Sequence, residues 1–204
     1  MAKRSAPEVN AGSMADIAFL LLIFFLVTTT IETDKGLNSK LPPIEEDDIK
    51  PPPVKQKNIF LVLINGGNQL FVEDDKMELE NLREEAIAFL DNGGGSGSES
   101  CEYCQGANDP ESSDNPVKAI ISLQNDRETD YGMYIAVRNE LTAAYNFLRN
   151  REAERLFGTS FRKMEEDFNS PDYDGNKAQL EENIKVIREM FPMKLSEAEP
   201  KKRN

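Results

Sequence analysis

The sequence predicts an α+β chain in which one N-terminal transmembrane helix precedes a small exported domain of two layers, sheet and helix. Three observations predict it. A nearly uncharged apolar run fills residues 13–31, a strand-turn-strand pattern follows at 58–72, and two stretches of helical periodicity flank a further apolar strand.

The apolar run reads Ala15-Asp16-Ile17-Ala18-Phe19-Leu20-Leu21-Leu22-Ile23-Phe24-Phe25-Leu26-Val27-Thr28-Thr29-Thr30-Ile31. As a helix from Ser13 to Ile31 it would rise about 28 Å, close to the thickness of a hydrocarbon core of roughly 30 Å. Asp16 opposes insertion by about 2.5–3.5 kcal/mol, while the Leu, Ile, Phe and Val residues between Ile17 and Val27 together favour it by roughly 3–6 kcal/mol. The segment is therefore expected to insert despite its acid. An intramembrane carboxylate faces a protein partner or a wet cavity and marks an ion or proton pathway, or, where it lies at headgroup depth, it caps the helix N-terminus. A cleaved signal peptide is the other reading, since Lys3 and Arg4 precede the run. The acid at its edge, and Thr-Thr-Thr-Ile-Glu in place of a small-x-small cleavage site, favour an uncleaved anchor. The basic bias of Lys3 and Arg4 keeps the N-terminus cytoplasmic and exports the rest.

Charge supports that division. Lys3, Arg4, Glu8 and Asp16 cancel, so the whole net charge of −13 belongs to the chain beyond the membrane. An acidic exported part argues against nucleic acid and against anionic lipid as partners. The chain contains no histidine, which removes Ser-His-Asp and Cys-His catalysis and the usual zinc sites.

The elements follow in order. Residues 1–12 form a cytoplasmic segment and 13–31 the membrane helix. Residues 32–57, with Pro42-Pro43, Glu45-Glu46-Asp47-Asp48 and Pro51-Pro52-Pro53, read as an extended, semi-rigid acidic linker. Residues 58–157 form the α+β domain. In it Asn58–Ile64 and Gln69–Val72 make a hairpin around Asn65-Gly66-Gly67-Asn68, whose residues tolerate positive φ. Glu78–Leu90 sets Leu79, Leu82, Ala86, Ile87 and Leu90 on one helical face. Val117–Leu123 is a strand, and Tyr131–Leu156 a long helix with Ile135, Val137, Leu141, Ala144, Tyr145 and Leu148 as its apolar residues. This order places helices on one face of a sheet.

Residues 92–116, rich in Gly and Ser, read as a flexible, exposed insertion. Its Cys101-Glu102-Tyr103-Cys104 lacks the strand-to-helix setting that activates a redox cysteine, and two cysteines without histidine make a poor zinc site. A local disulfide is the simpler reading, with a redox centre the alternative. Residues 158–204 form a C-terminal extension in which Lys177–Phe191 is helical, with Leu180, Ile184, Ile187 and Met190 on a stripe that packs in a core or docks on a partner. Met193-Lys194-Leu195 offers a short final strand.

Ser13-Met14-Ala15-Asp16 and the aliphatic run closing in Phe25-Leu26-Val27-Thr28 resemble the membrane signature of the ExbD/TolR proteins. The resemblance continues through the hairpin, the helix from Leu79, Val117–Leu123, Asp126-Arg127 and Tyr131-Gly132. The insertion, the helix beyond Leu148 and the C-terminal segment depart from the short members of that family. The resemblance implies a homodimer of such helices inside a ring of a polytopic partner, ExbB- or TolQ-like, in the bacterial inner membrane. It implies that Asp16 takes up and releases a proton, with protons as coupling ion and no cofactor. It also implies a TonB-like periplasm-spanning protein as the recipient of motion, driving outer-membrane transport, or else a TolR-like envelope tether. On an ideal helix Leu20, Ile23, Val27 and Thr30 share the face of Asp16 and would line the ring contact. Thr28 matches the motif threonine; its hydroxyl either joins that contact or bonds back to its own helix. Asp126 and Arg127 read as a turn. A passive exported binding module on a single-pass anchor, with Asp16 as a cap, is the competing expectation.

Overall fold

The computed structural model describes residues 11–28 and 54–198. The chain divides into two compact units, Met1–Lys50 and Pro51–Asn204.

In the first unit Ala11–Thr28 form helix α1. Ile17, Phe19, Leu20, Leu21, Leu22, Phe24 and Phe25 each leave half or more of their surface exposed, and they point in every direction around the axis. A helix apolar on all sides has no face for water, so its burial must come from outside itself. Among the described residues no helix is long and apolar enough to cross a membrane.

In the second unit the strands are β1 (Ile59–Ile64), β2 (Leu70–Val72), β3 (Asp75–Met77), β4 (Ile120–Asn125) and β5 (Leu195–Ala198), in the spatial order β3-β2-β1-β4-β5. The sheet is mixed. β1 runs antiparallel to β2 and parallel to β4, and β4 runs parallel to β5. β1 is apolar at every position, yet only Phe60, Val62 and Ile64 are buried, because successive side chains point to opposite faces and one face carries the helices. In the β1–β2 turn the Asn65 side-chain oxygen accepts from the N–H groups of Gly67 and Gln69, and Asn68 takes a φ of 59°.

Helix α2 (Leu79–Leu90) buries Leu82, Ala86, Phe89 and Leu90 against this face. Helix α3 (Tyr131–Phe157) starts at Asp130, whose carboxylate accepts from Gly132 N–H, and stops at Gly158 in the left-handed conformation. Its first two thirds add Val137, Leu141, Ala144, Tyr145 and Leu148 to the same core. Its last third carries Ala153 into a smaller core with helices α4 (Phe161–Asn169) and α5 (Lys177–Met190). The stripe Leu180, Ile184 and Ile187 is buried there, so it serves packing.

Several expectations change. Residues 158–198 of the expected C-terminal extension share the domain's core, since β5 extends the sheet and Phe191 is fully buried with the main core, while 199–204 lie outside the described residues. The last strand begins at Leu195, not Met193, and β4 begins at Ile120, because Lys118 and Ala119 N–H groups turn back onto Asn115 O. The insertion is not loose. Asn92, Ser113 and Asp114 are buried, and their polar atoms find partners within it, on α2 and, for the Asp114 carboxylate, on Lys55, Lys57 and Asn58, which supplies the energy that its composition withholds. A Cβ at Gly94 or Gly95 would overlap the carbonyls of Asp109 or Glu99, so these glycines allow the close backbone approach. Of the linker, residues 32–53 lie outside the described residues. Its last residues Gln56 and Lys57 already form a 3-10 turn with Asn58 at the start of the domain.

Candidate functional site

Asp16 is the only ionisable residue of α1 and is exposed, one turn before Leu20 and two before Ile23. Leu20 is 58 % and Ile23 39 % exposed, so the three form one uncovered face in which a carboxylate heads an apolar stripe. Val27 and Thr28 continue the helix by their backbone, while Thr30 lies outside the described residues. Phe24 and Phe25 meet edge to face at 5.8 Å. Such a face can do one piece of chemistry without a cofactor: the carboxyl can gain or lose a proton, and with it a unit of charge.

In the folded unit, Cys101 and Cys104 are joined in a disulfide that brackets Tyr103. The Tyr103 hydroxyl donates to Met190 O at 2.9 Å, and its ring meets Phe191 edge-on at 5.5 Å. Burial raises the pKa of this phenol, with the charges of Glu152 and Asp91 adding to the shift. Asp126 lies in the turn between β4 and α3, where its side chain accepts from Arg127 N–H and its own N–H donates to Ile64 O. Among the described residues no group of His, Cys, Asp or Glu side chains is arranged to hold a metal ion.

The domain's other concentrations of charge are structural. Asp114 is buried, with Lys57 Nζ at 2.7 Å, Lys55 Nζ at 3.1 Å and Asn58 Nδ2 at 3.0 Å. Burial alone would raise its pKa, but the hydrogen bonds from Lys57, Asn58 and Lys55 outweigh it and hold the carboxyl well below the usual carboxylate range. Arg151 grips buried Asp91 through both terminal nitrogens, at 2.5 and 2.8 Å, and Glu152 through Nε. Arg149 sends Nε and Nη2 to Phe191 O at 2.9 and 2.7 Å, and burial lowers its pKa. None of these pairs was legible beforehand. Asp91 and Arg151 lie 60 positions apart, and Asn58 and Asp114 56, beyond any periodic signal.

Comparison with known proteins places this architecture. The family described as "Biopolymer transport protein ExbD/TolR" matches residues 2–148, which include α1 and its Asp16, the hairpin, the insertion and the first two thirds of α3. A "Biopolymer transport protein ExbD" of Pseudomonas aeruginosa is 32 % identical over 81 residues, 40 % of this chain and 57 % of that protein. A "Biopolymer transport protein exbD2" of Vibrio cholerae serotype O1 is 27 % identical over 81 residues, again 40 % of this chain and 57 % of that protein. The chain thus spans a little over half the length of the curated relatives it matches. With a family match that covers more than half of its residues, including the lone acid of α1, this chain belongs to the ExbD/TolR family of biopolymer transport proteins.

Proposed function

We propose that the chain is the single-pass inner-membrane subunit of an ExbB–ExbD-type motor, in which Asp16 carries the proton whose movement drives TonB-dependent outer-membrane transport. The observation that carries this reading is a single carboxylate heading a helix whose every other described side chain is uncharged and exposed, inside the segment matched by the family. The proposed span is 13–31, which runs past the described end of α1 at Thr28. In it the apolar side chains meet lipid and a polytopic ring protein of ExbB or TolQ type, and a second copy of the chain pairs with the first. Leu20, Ile23, Val27, Thr28 and Thr30 line the ring contact. Protonation of Asp16 removes the charge that ties α1 to polar groups of the ring, so loss and gain of a proton switch the helix between two positions. The folded unit lies on the periplasmic side and passes the motion to a TonB-like protein.

Asp16→Asn tests this. It keeps size and hydrogen bonding and removes the titrating group. In cells that carry the partner ring, the variant is expected to co-purify with the ring and to lose gradient-dependent uptake. Normal uptake by an assembled variant would leave an anchored binding module in place of a motor subunit.

A further inference from the structure

The chain enters the folded domain at Val54–Asn58, and side chains of the insertion hold that entry. Lys57 Nζ donates to Pro110 O at 2.7 Å and pairs with Asp114, and Lys55 Nζ reaches Glu99 at 2.8 Å. Asn58 and Asp114 are joined twice, from Asn58 Nδ2 to the carboxylate at 3.0 Å and from Asp114 N–H to Asn58 Oδ1 at 2.8 Å. At its other end the insertion holds the lead-in to β5. Tyr103 bonds Met190 O and packs on Phe191, its carbonyl accepts from Arg151 Nη2 at 3.3 Å, and the Cys101–Cys104 bridge closes the ring of chain that presents it. From there Lys194 O accepts from Ile121 N–H as β5 joins β4.

Between the two ends runs a continuous polar network. Asn92 Nδ2 donates to Asp109 O and Ser113 O at 2.9 and 2.8 Å, Asp109 N–H returns to Asn92 Oδ1, and Gly95 N–H donates to Asp114 O at 2.8 Å. Gly106 and Asn108 N–H groups tie the Tyr103 end to Asp91 O and Asn92 O. Among the described residues no buried side-chain polar atom lacks a partner. A fully satisfied buried network resists partial opening, because each broken bond strands its neighbour in a low-dielectric interior.

We propose that residues 92–116 form a latch that couples the point where the chain enters the folded domain to the lead-in of its last strand. A displacement at Lys55–Asn58 is then carried through the insertion to Phe191 and β5, and is not absorbed by β1 alone. This goes beyond the motor reading and does not depend on it, since its test uses the chain without any ring.

The test is backbone hydrogen exchange of the full-length chain in detergent, with two variants that attack opposite ends. Lys55→Met/Lys57→Met removes the charged contacts at the entry, and Cys101→Ser/Cys104→Ser opens the ring around Tyr103. Each is expected to speed exchange about tenfold at its own end and severalfold at the other, residues 191–195 for the first and 57–60 for the second, with Leu82–Leu90 of α2 unchanged. Acceleration confined to the altered end would overturn the proposal. So would a uniform rise that includes α2, since the contacts would then belong to global stability.

Discussion

Truncating Phe191 to alanine tests whether the segment after α3 is part of the fold or an attachment to it. Phe191 is fully buried among residues of the sheet, α2 and α3, and its ring meets Tyr103 edge-on. Removing a buried phenylalanine costs about 3–5 kcal/mol, a range that already contains the loss of an aromatic pair. The site lies between packed helices and has little room to relax, so a loss of about 4 kcal/mol is expected, a large share of the roughly 5–15 kcal/mol available to a domain. At an m-value of about 2 kcal/mol/M the urea midpoint should fall by about 2 M. The chain has no tryptophan, so tyrosine fluorescence, reporting on Tyr103 and Tyr145, and circular dichroism of the full chain in detergent follow the transition. A shift under about 0.5 M would refute the assignment of Phe191 and β5 to the same core as β1.

Two further outcomes follow from the geometry. The folded state holds Asp114 below its ordinary value of 3.8, so its contribution to stability is present above about pH 4 and is lost on acidification below it. Asp114→Asn should cost about 1–2 kcal/mol at pH 7, and in acid unfolding curves the gap to the parent should narrow steadily as pH falls below about 4. Gly158 has a φ of 70° with open space where a Cβ would stand, so Gly158→Ala should cost about 1 kcal/mol from backbone strain alone, and Gly158→Asn less, by urea denaturation.

The parts of the fold that could be read in advance are those with regular hydrophobic spacing. β1 and β2 are short apolar runs on either side of a turn of Asn and Gly, and α2 and α3 carry apolar residues at helical intervals, so the type of each element is written in its local pattern, while which face of β1 is buried is not. β3 could not be read, because Asp75-Lys76-Met77 has no apolar alternation and the turn before it sets Glu73 and Asp74 at positive φ without a glycine. α4 differs, since Phe161, Met164 and Phe168 recur at helical intervals behind Ser160, whose side chain caps the helix, so its signal is present in the sequence although the apolar residues are few. The order of the insertion rests on pairs such as Asn92–Ser113 and Asn58–Asp114, fixed by tertiary approach and invisible to a local window. Asp16 stands at the opposite extreme. A lone acid in an apolar helix is conspicuous in the sequence alone, while the groups proposed to answer it belong to another protein.

The most direct measurement is therefore gradient-driven proton uptake into vesicles that contain the chain co-purified with its partner ring, comparing the parent with Asp16→Asn. The account predicts uptake by the parent and none above background by an equally assembled variant. Equal uptake by both would contradict the assignment of Asp16 as the proton carrier.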